Sequence, residues 1–306
     1  MVKIEKTEWR GWPNCYRMAN GSMELIITSD IGPRIMRCGF EGGANLFKVY
    51  EDQAGKSGEP AWQLRGGHRV WIAPEQRVLT YAPDNSPVAV EVQEGALIAT
   101  ADPEPTTGIR KQLMVRMNAT EAKAEVTHRY RNTLPFAIEF AAWAPTMMAQ
   151  NGTAVTGFPP RGTHPENLEP SNPLIMWPFT DLGDPRWIFL RKYLVLRQDP
   201  ANRNPTKLGH FNPKTWAAYL LGSDLFVKKY QAAPGLSYPD MGCSYQTFTR
   251  DDMLEMETLG PITRVAPGEW LEHKEQWFLY GNISAHKWDE NELDLILLPL
   301  PGLFVG

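Results

Sequence analysis

The sequence predicts an all-β protein, a large antiparallel β-sandwich with few short helices, and three observations support this. Apolar residues recur with a period of two in many segments, the spacing of half-buried strands. Amphipathic stretches of a dozen residues with helical spacing are hard to find. The 26 prolines interrupt helices and central strands and imply many turns and bends.

In chain order, Met23, Leu25 and Ile27 alternate with Glu24, Ile26 and Thr28 ahead of the turn Asp30-Ile-Gly-Pro33. Val88, Val90 and Val92 repeat the pattern. Ile109, Leu113, Val115 and Met117 form one face of a strand whose other face is mostly Arg110, Gln112 and Arg116. Ala122, Ala124, Val126, His128 and Tyr130 oppose Lys123, Glu125, Thr127, Arg129 and Arg131, and Phe136, Ile138 and Phe140 continue the series. From about 156 to 213 the chain is dense in Pro, Asn, Asp and Trp, which predicts long ordered loops with a strand near Tyr193 to Arg197. Long loops in a compact domain are more often functional than accidental. No repeat, low-complexity tract or linker divides the chain, so a single domain over 1–306 is expected, with 156–213 as a loop-rich insertion. Late in the chain, Met253-Leu-Glu-Met-Glu257-Thr-Leu runs into a Gly-Pro turn. In a strand Glu255 and Glu257 share one face, with Leu254, Met256 and Thr258 on the other.

Composition bounds the function. A chain of 306 residues, 42% apolar and 22% charged, is an ordinary globular protein with room for a large core. A net charge of -4 gives no electrostatic case for binding nucleic acid or an anionic membrane. No apolar run is long enough to suggest a membrane span, and the charged N-terminus lacks the apolar core of a signal peptide. Cys15, Cys38 and Cys243 are odd in number and far apart, which supports neither a disulfide framework nor a zinc knuckle. A reducing cytoplasm is the expected compartment. Eleven tryptophans exceed ordinary needs. Most serve a core, but indoles are also flat platforms for the apolar faces of sugar rings.

Nucleophile elbows, phosphate loops, dinucleotide fingerprints and zinc-protease motifs are absent from the sequence. The acid–base inventory is then six histidines and the carboxylates. His68, in Arg65-Gly-Gly-His-Arg69, stands between two arginines with Glu75 seven residues on. Its glycines allow close approach by a ligand or by another backbone. His128 falls on an apolar strand face and fits a satisfied core histidine. His164, in Arg161-Gly-Thr-His-Pro-Glu166, and His210 belong to the loop-rich region and could line a binding mouth, while His273 and His286 fit a surface. Lys228 and Lys229 could bind hydroxyl groups or protect an exposed strand edge. Asp240, in Tyr238-Pro-Asp240, adds an acid beside aromatic rings. No histidine pair has metal-ligand spacing, so neither a metal nor another cofactor is expected.

The segment Asn20-Gly-Ser-Met-Glu-Leu-Ile-Ile-Thr-Ser-Asp-Ile-Gly-Pro-Arg34-Ile, followed by Gly43-Ala-Asn-Leu-Phe47, resembles the opening of galactose mutarotase-like proteins. Leu254-Glu-Met-Glu257-Thr-Leu resembles the segment that holds their catalytic glutamate. The resemblance spans nearly the whole chain. It implies a large antiparallel supersandwich, a small-molecule sugar as partner, and interconversion of sugar anomers as in aldose 1-epimerases. There a glutamate takes the proton of the anomeric hydroxyl while a histidine protonates the ring oxygen. By similarity Glu257 is the base and His68 the acid or a sugar ligand, with Arg34 and Asp240 placed to orient hydroxyls. One departure matters. Where those enzymes carry a second histidine in mid-chain, this sequence has Trp143, and His164 could supply an imidazole from the later loop, though nothing in the sequence requires it.

Two readings follow. In one, the protein is an aldose 1-epimerase-like isomerase with Glu257 as base and His68 or His164 as acid. Arg34, Arg69, Glu75, Trp143, His210, Lys228, Asp240 and Glu255 would then hold the sugar. In the other, the same scaffold binds a carbohydrate without catalysis.

Overall fold

The computed structural model describes residues 1–159 and 161–303; Pro160 and the last three residues of the expected 1–306 unit lie outside the described residues. Three antiparallel sheets carry the fold. The first is a four-stranded meander through Lys3–Trp9, Trp12–Ala19, Met23–Thr28 and Arg34–Phe40. The second runs Leu174–Met176, Thr206–His210, Tyr245–Arg250, Met253–Leu259, Ile138–Met148 and Thr263–Val265, and Trp71–Ala73 also pairs with Ile138–Met148. The third has ten strands, centred on Asp224–Tyr230, Trp270–Tyr280 and Lys123–Asn132. Among the described residues, no helix is long and apolar enough to cross a membrane.

The alternation read from the sequence becomes burial. In Ile109–Met117, Ile109, Leu113, Val115 and Met117 are buried; in Lys123–Asn132, Ala124, Val126, His128 and Tyr130 are. The pattern ends earlier than expected at two edges, where Val92 and Phe136 face solvent. The main core gathers Met18 and Leu25 of the first sheet, Leu208, Leu254 and Met256 of the second, and Leu113, Val126, Phe226 and Trp277 of the third. A pair of hydrogen-bonded histidines, His68 and His128, lies beside it with no exposed surface.

Between 156 and 213 the expected strand forms as Tyr193–Arg197, and three further short strands, Leu174–Met176, Trp187–Phe189 and Thr206–His210, tie this stretch into two of the sheets. The helix Glu290–Leu297, too short to show as a helical pattern, is capped by Asp289, whose side chain accepts from the backbone of Glu292 at 2.9 Å.

The Gly66-Gly67 pair serves backbone approach and leaves no gap for a ligand. Both residues have positive φ, 96° and 72°. A Cβ on Gly66 would lie 2.1 Å from the Lys48 carbonyl oxygen, and one on Gly67 2.5 Å from that of Ile35. This packing stitches His68 between Ile35 of the first sheet and Thr146 of the second.

Candidate functional site

Cross-strand partners in an antiparallel sheet share a face. In the second sheet Glu257 pairs with Pro145 and Gln246, Glu255 with Met147 and Phe248, and Leu259 with Trp143. Phe248 pairs in turn with Lys207, and Gln246 with Gly209. Trp71 faces Trp143 from the short strand on the other side. Glu255, Glu257, Trp143, Trp71, Gln246 and Lys207 therefore stand on one side of the sheet. Leu254, Met256, Thr258, Thr146 and His210 stand on the other, toward the main core.

Glu257 has no exposed surface. Its Oε2 accepts from Trp143 Nε1 at 2.9 Å and from Lys207 Nζ at 3.0 Å, while its Oε1 has no hydrogen-bond partner. Burial, with help from Glu255 and Glu75 and against the pull of Lys207, raises this carboxyl to about 7. Lys207 is also buried, and burial disfavours its ammonium. The facing carboxylates, Glu257 above all, outweigh that and hold its pKa above the ordinary lysine value. Lys207 Nζ also lies 5.2 Å from the ring centre of Trp143 and 4.8 Å from that of Trp177. Gly209 makes room for the packing here: a Cβ would lie 2.5 Å from Cys243 Sγ and 3.2 Å from the Trp177 ring.

Aromatic rings continue outward from this floor. Trp143 packs on Trp71 with centroids 5.1 Å apart, and Trp71 on Trp62 and Tyr81 at 5.4 and 5.2 Å. The Arg69 guanidinium stacks 4.2 Å from the Trp71 centroid and pairs with Glu255, and the Tyr81 hydroxyl donates to Glu75. The cleft above them, about 1120 Å³, is lined by Trp62, Glu75, Arg77, Tyr81, Trp177 and Asp240. Five buried polar atoms on this side have no partner: Trp62 Nε1, Arg69 Nε and Nη1, Gln246 Oε1 and Glu257 Oε1. Such atoms are rare in folded proteins and costly unless a ligand meets them. The arrangement offers donors, acceptors, both charges and flat apolar rings, the mixture a hydroxyl-rich ligand requires.

Six of the residues singled out from the sequence meet around this cleft, Glu257, Glu255, Arg69, Glu75, Trp143 and Asp240, and Lys207, which was not among them, stands in its floor beside Glu257. The others are elsewhere. His68 points through the sheet into the main core, so the expected convergence of His68 and Glu257 on one hollow is corrected: successive residues on a strand face opposite ways, and Arg69 takes the open side. His210 is buried on the core side as well, packed against Phe158 and Tyr245, because it pairs with Tyr245. Lys228 is neither a ligand of the cleft nor an exposed edge lysine. It is buried between the sheets, 2.9 Å from Glu275. Arg34 is wholly buried as a clamp, bonding Asp84 and the carbonyls of Leu64 and Gly66. His164 sits exposed in a separate hollow of about 940 Å³ with Arg161 and Glu166.

Behind the sheet lies a second polar cluster. His128 Nδ1 faces the His273 carbonyl at 3.0 Å and must carry a proton, so its Nε2 accepts from His68 Nε2 at 2.6 Å. His68 Nδ1 then accepts from Thr146 Oγ1 at 2.8 Å, and that hydroxyl oxygen accepts from Lys228 Nζ at 2.9 Å. Both imidazoles are neutral in this assignment, and burial lowers both of their pKa values. His273, expected at the surface, is buried here against Thr258. His68, His128 and Glu275 bring three possible metal-ligand atoms within 4.8 Å of one another. The Lys228 ammonium already supplies the positive charge beside Glu275, so a cation would have to displace it.

Sequence reasoning missed Lys207, Trp62, Trp71, Tyr81 and Trp177. Lys207 had a signal, since alternation along Thr206–His210 sets it and Gly209 opposite Leu208 and His210. For the aromatic residues, site and core tryptophans look alike in a sequence.

No protein-family model and no curated protein matches the chain. Solved structures do match it across most of its length. A protein of Synechocystis aligns with 92% of this chain and 100% of its own, at 12% identity and a TM-score of 0.59. A galactose mutarotase-like protein of Clostridium acetobutylicum covers 92% of this chain and 99% of its own, at 12% identity and a TM-score of 0.54. A galactose mutarotase-like protein of Lactobacillus casei covers 87% and 100%, at 10% identity and a TM-score of 0.54. At such identities the likeness establishes the fold.

Proposed function

We propose that this chain, built on the galactose mutarotase-like fold, binds a sugar in the aromatic cleft and exchanges its anomers, with Glu257 as the proton-accepting group. One observation carries the reading. A fully buried carboxyl has one oxygen held by Trp143 and Lys207 and the other without a partner, beneath a cleft of tryptophans. A free carboxyl oxygen with a pKa near 7 suits the removal of a hydroxyl proton at neutral pH. Arg69, Glu75, Asp240 and Glu255 surround it with groups that bond hydroxyls, and Trp62, Trp71 and Trp177 give the ring faces a platform. Because Glu257 has no exposed surface, a neighbouring side chain must move for a sugar to reach it, and the half-buried Trp177, which lines the cleft and stands over Lys207, is the one we assign to that movement.

The test is direct. Freshly dissolved α-glucose and α-galactose are followed by polarimetry with and without the protein, and binding is read by tryptophan fluorescence. The reading expects faster drift with wild type and none beyond the spontaneous rate with Glu257→Gln. Fluorescence change without faster drift would leave the non-catalytic binding reading in its place.

A further inference from the structure

We infer that Lys207 is the proton donor to the ring oxygen of the sugar, taking the part that a histidine would otherwise play; this rests on the reading of Glu257 given above. Among the described residues no imidazole reaches the cleft. His68, His128, His210 and His273 are buried on the core side, and His164 and His286 are exposed elsewhere. Lys207 is the ammonium in the cleft floor that touches Glu257.

Geometry favours it. The anomeric hydroxyl oxygen and the ring oxygen are bonded to the same carbon, so a base and an acid that serve them must stand side by side. Lys207 Nζ is 3.0 Å from Glu257 Oε2, next to the unpartnered Oε1. The ammonium is held by the indole faces of Trp143 and Trp177 and has no backbone carbonyl bonded to it among the described contacts, so protons remain for a ligand.

The balance of the step closes. Glu257 Oε1 takes the proton of the anomeric hydroxyl, and the carbon–oxygen bond becomes a carbonyl. The bond from that carbon to the ring oxygen breaks, and its electron pair goes to the ring oxygen, which takes a proton from Lys207 Nζ. A neutral carboxyl and a neutral amine remain. Closure on the other face of the carbonyl returns both protons to their owners and gives the other anomer. The two transfers help each other: the negative charge of Glu257 is what keeps Lys207 protonated against its burial. Once Glu257 is neutral only Glu255 and Glu75 still oppose the burial, and the ammonium becomes a stronger acid.

Two variants separate an acid from a charge that merely holds Glu257. Lys207→Arg keeps a cation in the floor but offers a proton too weakly acidic to transfer; Lys207→Met removes both. Anomer exchange is measured by magnetization transfer between the α and β signals of glucose and galactose, and binding by tryptophan fluorescence. Both variants are expected to lose about 100-fold or more of the exchange rate while the Arg variant keeps its affinity within about threefold. Exchange restored by Lys207→Arg, or binding and exchange lost in equal proportion in both variants, would overturn the assignment. Wild-type protein that binds but exchanges no anomers overturns the Glu257 reading and the Lys207 assignment together, and it is told apart because wild type is then as silent as the variants.

Discussion

His68 and Arg69 are consecutive, yet they lie on opposite sides of one sheet. The His68 ring bonds Thr146 and His128 in the core, and the Arg69 guanidinium pairs with Glu255 beside the open cleft. The backbone bridges of His68 to Ile35 and Thr146 hold this register, so neither side chain can exchange places with the other. That relationship separates a structural polar cluster from a candidate reactive one, and different experiments address each.

The pH dependence of anomer exchange reports on Glu257. Its buried carboxyl is raised to about 7, so the ionised base becomes available as pH rises through that value. Exchange is expected to increase from pH 5 to 8 with a midpoint near 7, by polarimetric rates over that range. A rate flat across it would remove Glu257 from the role.

Trp143→Phe keeps most of the ring and removes the indole donor to Glu257 Oε2. A hydrogen bond to a carboxylate favours its charged form, so losing it raises the pKa further. The acid limb of the rate profile is expected to move to higher pH, with sugar affinity little changed. An unmoved limb would show that Trp143 does not tune the base.

The buried pair Lys228–Glu275 predicts stability. Removing one partner leaves the other charge buried without compensation. Lys228→Met is expected to cost about 3–5 kcal/mol in urea unfolding, while the paired change Lys228→Met with Glu275→Leu costs clearly less. The folded fraction of either should keep its sugar response, since the pair lies behind the sheet. A single substitution that costs under about 1 kcal/mol would show the charges to be solvated or neutral.

Acid stability follows from the core histidines. Burial lowers His210 to about 4 and His273 to about 3, from an ordinary 6.5. The unfolded chain then binds more protons than the native one, so their contribution is complete above pH 6.5 and is lost as pH falls toward 4 and 3. Glu257 acts in the opposite sense, its contribution being lost as pH rises from 4.5 through about 7. In a Glu257→Gln background the urea midpoint is expected to fall steadily from pH 6.5 to 4, and His210→Met should flatten that fall. A slope unaffected by His210→Met would mean that His210 charges freely while folded.

Much of this architecture was legible from periodicity. The two-residue repeat in Ile109–Met117 and Lys123–Asn132 is sterically bound to burial on alternate faces, and Glu255 and Glu257 share their side of the sheet for the same reason. The short helix Glu290–Leu297 was not visible, since two turns give too few positions to show a helical spacing. Arg34, His210 and Lys228 carried polar side chains that suit a ligand equally well as a core partner, and only their neighbours distinguish the two.

The amino-acid order by itself determined which residues face together along each strand, because the pleat makes that a local matter. Which faces meet across the molecule was decided by the tertiary structure, because pairing between strands distant in sequence sets it. Register turned Arg69 rather than His68 toward Glu257's side, placed Lys207 next to that carboxyl from fifty positions away, and enclosed the histidines in the interior. Alternation says how a strand's side chains divide; it does not say which half looks outward or what waits there.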